Sequence, residues 1–209
     1  GTKPFTINLA SPLPTLTNQV TIDGTTQPGY TGVPIIELNG SAAGAGTSGL
    51  KFGASASFST VRGLVINRFT ASGIELNSPS NTIAGNYIGT DVTGTLARGN
   101  GLAATAYGLW IKSAGNLIGG TNTADRNVIS GNHDAGIYIL TAGNNFVLGN
   151  WIGVAAANSA VALGNASHGI VIYNSAGNQV CVTNSGAGNV ISGNTNGASG
   201  IFLDLAGAT

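Results

Sequence analysis

The sequence predicts an all-β chain wound as a β-solenoid, and three observations carry that prediction. A phrase of Gly, aliphatic, variable, aliphatic returns five times, as Gly73-Ile74-Glu75-Leu76, Gly108-Leu109-Trp110-Ile111, Gly136-Ile137-Tyr138-Ile139, Gly169-Ile170-Val171-Ile172 and Gly200-Ile201-Phe202-Leu203. A second phrase led by Asn follows the first four in step, at Asn81-Thr82-Ile83, Asn116-Leu117-Ile118, Asn145-Phe146-Val147 and Asn178-Gln179-Val180. The composition of the 209 residues, 34 Gly and 23 Asn among them, supplies corner residues in excess. Alternation over three or four positions is the period of a short strand and leaves no helical face. Strands this short bury too little alone, so the units must stack on one another to form a continuous core.

The elements follow in order. Residues 1–48 hold five of the six prolines and only strand-like pieces such as Val20-Thr21-Ile22 and Ile35-Ile36-Glu37-Leu38, which reads as an irregular N-terminal coil or cap. Residues 49–209 are the repeats, opening with a shorter unit at Gly49-Leu50-Lys51-Phe52 and Thr60-Val61-Arg62-Gly63. A longer period lies on top: Gly85-Asn86-Tyr87-Ile88-Gly89 recurs as Gly149-Asn150-Trp151-Ile152-Gly153, and Asn127-Val128-Ile129-Ser130-Gly131-Asn132 recurs at 189–194. Units thus alternate, and the surplus from Thr90 to Ala106 is expected to be an outward loop. Gly and Asn suit the corners because sharp turns need φ above zero, which Gly adopts freely and Asn tolerates best among the rest. Asn81, Asn116, Asn145 and Asn178 are expected to stack as an amide ladder that satisfies buried polar groups. The chain ends on a strand phrase, so truncation of a longer repeat block at its C-terminal end is expected.

The repeated Gly-Ile-x-Ile, Gly-Asn-x-Ile-Gly and Asn-Val-Ile-Ser-Gly-Asn phrases, preceded by the stretch from Val20 to Tyr30, resemble the right-handed parallel β-helix repeats of large secreted bacterial proteins, with a pectate-lyase-like architecture. The resemblance implies a right-handed, single-stranded parallel β-helix of about six to seven coils and an extracellular or cell-surface location. It implies no particular activity, because pectate lyases, polygalacturonases, tailspikes and adhesins share the architecture.

Composition narrows the function classes. Seven Lys+Arg balance seven Asp+Glu, which leaves no electrostatic footprint for nucleic acid. Every apolar run is far short of the roughly 20 residues that cross a bilayer, so membrane insertion is not expected. The chain opens at Gly1-Thr2-Lys3-Pro4, so an export signal is expected to have been removed or to lie upstream. The single cysteine, Cys181, provides neither an internal disulfide nor a thiolate metal site, and no cofactor or metal is expected. Gly44-Ala45-Gly46-Thr47-Ser48-Gly49 matches a phosphate-loop pattern but leads into a strand, where that fingerprint has no meaning.

Two sets of residues bear on chemistry. Asp125, Arg126, His133 and Asp134 flank one strand and, with His168, form a weak polar cluster; carboxylates elsewhere are single, and no catalytic residue is assigned. The stronger set is a column. In each Gly-Ile-x-Ile phrase the middle residue faces outward, so stacking aligns Lys51, Glu75, Trp110, Tyr138, Val171 and Phe202. Its aromatic members are expected to stack on sugar rings or to cover the sheet as a contact patch. The leading expectation is a non-catalytic structural or adhesive solenoid segment; the alternative is a carbohydrate-binding or carbohydrate-active module using that column. Expected partners are a polysaccharide or a second copy of the chain.

Overall fold

The computed structural model describes residues 3–102, 106–181 and 188–204. Positions 1–2 of the N-terminal segment, 103–105 of the predicted loop and 205–209 of the last repeat lie outside the described residues. The chain is all-β. Among the described residues the helical elements are two three-residue 3-10 turns, Gly24–Thr26 and Thr123–Asp125, and the strands form three long parallel sheets and one short antiparallel pair. Among the described residues no helix is long and apolar enough to cross a membrane.

Sheet A joins Phe5–Asn8, Ile36–Asn39, Leu64–Asn67, Tyr87–Ile88, Val128–Ile129, Trp151–Ile152 and Val190–Ile191. Sheet B joins Leu50–Phe52, Ile74–Leu76, Leu109–Ile111, Ile137–Leu140, Ile170–Tyr173 and Ile201–Asp204, which include all five Gly-led phrases. Sheet C joins Thr21–Asp23, Thr60–Arg62, Thr82–Ala84, Leu117–Gly119, Phe146–Leu148 and Gln179–Val180. From Leu50 onward the chain visits B, C and A in that fixed order, circuit after circuit, an arrangement compatible with a parallel β-helix. Residues 1–48 add strands to sheets A and C, and Leu16 bridges Phe52 in parallel.

The core sits where the three sheets face one another. Sheet B contributes Ile74 and Leu76, Leu109 and Ile111, Ile137 and Ile139; sheet C contributes Val61, Ile83, Ile118 and Val147; sheet A contributes Ile66, Ile88, Ile129 and Ile152, all fully buried in one cluster. Full burial of each such side chain contributes about 1.5–3 kcal/mol before entropy. At the corner between B and C, the residue just before each ladder asparagine has a positive φ: Ser80 (61°), Gly115 (72°), Asn144 (57°) and Gly177 (71°). That left-handed residue turns the chain, and the asparagine after it faces inward.

The amide ladder is present. The Asn81 N–H donates to Asn116 Oδ1 (2.9 Å), Asn116 N–H to Asn145 Oδ1 (2.9 Å) and Asn145 N–H to Asn178 Oδ1 (2.9 Å). The other two corners carry ladders that the phrases did not reveal, Asn86–Asn127–Asn150–Asn189 between C and A and Asn100–Asn132–Asn165–Asn194 between A and B. The loops that leave this frame follow the longer period. Thr90 pairs antiparallel with Ala97, Val154–Ala155 pairs antiparallel with Asn158–Ala162, and the two loops touch where Ala156 N–H donates to the Gly94 carbonyl (2.9 Å).

Candidate functional site

The outer face of sheet B carries the predicted column in register. Lys51 pairs with Glu75, Glu75 with Trp110, Trp110 with Tyr138, Tyr138 with Val171 and Val171 with Phe202. The column is not one open surface, however. Glu75 is buried beneath two lysines, with Lys112 Nζ at 2.6 Å and Lys51 Nζ at 3.5 Å. Burial pushes the Glu75 carboxyl up, but the Lys112 hydrogen bond, the charges of Lys112 and Lys51 and a bond from Asn77 outweigh it and hold the group below its ordinary range. Lys112 Nζ also lies 3.5 Å from the centroid of the Trp110 ring. The Trp110 indole is thus half-buried packing, with its Nε1 buried and, among the described residues, without a hydrogen-bond partner.

A second column, beside the first, was not assigned from sequence. Tyr107, Ala135 and His168 each stand just before a phrase glycine, at the entry to neighbouring sheet B strands, with Gly108 N–H donating to the Ala135 carbonyl and Gly136 N–H to the His168 carbonyl. The signal was there, since a tyrosine precedes Gly108 where alanine precedes Gly136. Tyr107 stacks on Tyr138 with ring centroids 4.3 Å apart and meets Trp110 edge-on at 5.7 Å. Val171 is buried beneath this group, against Tyr138 and Tyr173. Farther along, the His168 ring stacks on Phe202 at 4.7 Å while its Nδ1 accepts the Ser199 N–H at 2.9 Å.

Between these aromatics runs a groove of about 310 Å³ lined by Tyr107, Tyr138, Val171, Tyr173, His168 and Phe202, with Ser167 and two carboxylates, Asp134 and Asp204. Burial, then Tyr138 and Asp134, push the Tyr107 phenol up to about 12. Tyr138 is raised by burial, then by Tyr173, Asp204 and Asp134. Both phenols are therefore neutral donors at neutral pH, facing carboxylate acceptors across apolar ring faces. That set can hold hydroxyl groups and an apolar ring face together.

The weak polar cluster is brought together only in part. Asp134 and His168 line the sheet B groove. Asp125 pairs with Arg62 at 3.7 Å and accepts from Asn122 at 3.0 Å. Arg126 donates from Nε to the Gly149 carbonyl (3.2 Å) and lies over Trp151, 4.6 Å from the ring centroid. His133 faces another groove, at the corner between A and B. The chain order that put these residues next to one another distributes them over different corners. Among the described residues no three His, Cys, Asp or Glu side chains form a group able to hold a metal. Comparisons with protein-family models, with curated proteins and with solved structures gave no match.

Proposed function

We propose that this chain is a non-catalytic structural and adhesive segment of a secreted or cell-surface bacterial protein, folded as a right-handed, single-stranded parallel β-helix of six to seven coils with a pectate-lyase-like architecture. The observation that carries the reading is the trio of asparagine ladders, one at each corner, which join successive circuits by buried hydrogen bonds and commit about half of the buried polar residues to stacking. Such a frame serves stiffness and surface display. The test is incubation with a panel of soluble polysaccharides, followed by assays for new reducing ends and for unsaturated products. No release from any substrate is expected; turnover of any of them overturns the non-catalytic reading.

The groove on sheet B favours a second reading, a carbohydrate-binding module. Stacked phenols beside two carboxylates match the alternating apolar and hydroxylated faces of a sugar. Affinity electrophoresis against the same panel, with Tyr138→Ala and Phe202→Ala as paired variants, tests it. Retardation by one polysaccharide, lost in both variants, supports binding in the groove. Retardation that survives both variants rejects that location, and no retardation by any polymer rejects the module.

A further inference from the structure

Cationic side chains are few enough here to be followed one by one. Lys51 and Lys112 reach Glu75, Arg62 faces Asp125, Arg126 lies on Trp151, and Lys3 donates to the Gly29 carbonyl. The remaining two of the seven, Arg68 and Arg98, stand together, since the Arg68 N–H donates to the Arg98 carbonyl at 3.1 Å. Both line one groove at the corner between sheets A and B, and His133 lines it with them. No acidic side chain does, and the groove has no residue in common with the sheet B groove.

The two arginines are not equivalent. Arg68 Nη1 donates to Glu37 Oε1 and to Asn67 Oδ1, each at 2.9 Å, so the buried Glu37 carboxylate fixes the guanidinium and neutralises it. Arg98 donates from Nη1 to the adjacent Ala97 carbonyl and, among the described residues, is paired with neither a carboxylate nor an aromatic ring. One formal positive charge therefore stays uncompensated in the groove. Its wall is bare backbone at Gly99, and His133 is packed against it. A Cβ at Gly99 would stand 2.4 Å from the Gly131 carbonyl oxygen, 2.8 Å from His133 Cδ2 and 3.0 Å from Nε2, so only glycine fits between them.

We infer that this corner groove is a binding site for an oxyanion of the sulfate or phosphate-monoester class, held by Arg98 and Arg68 with His133 as a further donor. Guanidinium forks match pairs of oxygens on such groups, and charge-assisted bonds are about twice as strong as neutral ones. Ser41 and Thr70 line the same groove. The inference does not depend on the proposed function, because it concerns a different face.

The test is a titration of the full chain followed through its amide NMR spectrum, with sodium sulfate, sodium phosphate or glucose 6-sulfate, and with sodium chloride at matched ionic strength. Saturable shifts at Gly99, Gly131 and His133 with the oxyanions, absent with chloride, are expected. Arg98→Gln is expected to weaken binding roughly tenfold or more, the factor that follows from losing one hydrogen bond to a charged group. Tyr138→Ala is expected to leave it unchanged. Because Arg98 is exposed, an otherwise unchanged spectrum for the variant verifies its fold. Tighter binding of the sugar ester than of the inorganic ion points to an ester group on a larger saccharide, and equal binding points to the free ion. Shifts that rise linearly, that match those with chloride, or that persist with unchanged affinity in Arg98→Gln overturn the site.

Discussion

At the scale of single residues, the buried amides explain how so short a strand can pack a polar chain tightly. Asn116 is fully buried: its Oδ1 accepts the Asn81 N–H, and its Nδ2 donates to the Ser113 carbonyl (2.9 Å) and to Asn145 Oδ1 (3.0 Å). Asn116→Ala strands a buried donor and an acceptor, and urea denaturation is expected to show a loss of about 2–4 kcal/mol. Glu75 acts through pH instead. Its folded pKa is depressed, so its contribution to stability is present above the ordinary value of 4.5 and is lost as pH falls through the lower folded value. Melting temperatures measured from pH 7 down to 3 are expected to fall more steeply in the native chain than in Glu75→Gln. Glu37, held low against burial by Asn67, Thr6 and Arg68, contributes in the same sense.

At the scale of elements, the outer face of sheet B behaves as a packed layer. Tyr107→Ala removes the ring that stacks on Tyr138 and edges Trp110. It is expected to red-shift the indole fluorescence and to lower stability by about 1–3 kcal/mol, since an aromatic pair adds roughly 0.5–1.5 kcal/mol beyond its buried area. How far this layer could be read in advance follows from the repeats. The column from Lys51 to Phe202 was legible because period-2 alternation settles which residue faces out. Its coverage was not, because Lys112 and Tyr107 reach it from positions outside the phrase. Likewise, the ladder between C and A is hard to read in the sequence because loops of unequal length separate its members by 41, 23 and 39 residues. The ladder between A and B has nearly even separations of 32, 33 and 29. Its signal was a recurring Gly-Asn pair at 99–100, 131–132, 164–165 and 193–194.

At the scale of the whole molecule, protection depends on having a circuit on either side. Ile137 and Ile201 occupy equivalent phrase positions in sheet B, yet Ile137 is fully buried and Ile201 is 42% exposed. Ile137→Ala is expected to cost about 2–5 kcal/mol and Ile201→Ala less than about 1 kcal/mol in the same denaturation experiment. The ladders add a sense of direction to this stack. In each one, main-chain N–H groups look toward later residues and side-chain oxygens look back toward earlier ones. At the last described member between A and B, Asn194 Nδ2 is buried and, among the described residues, lacks a partner. Within the stack each layer meets the donors of the one before it with oxygens, whereas a reversed layer would set donor against donor. The stack is vectorial along this axis, like cups that nest only one way up.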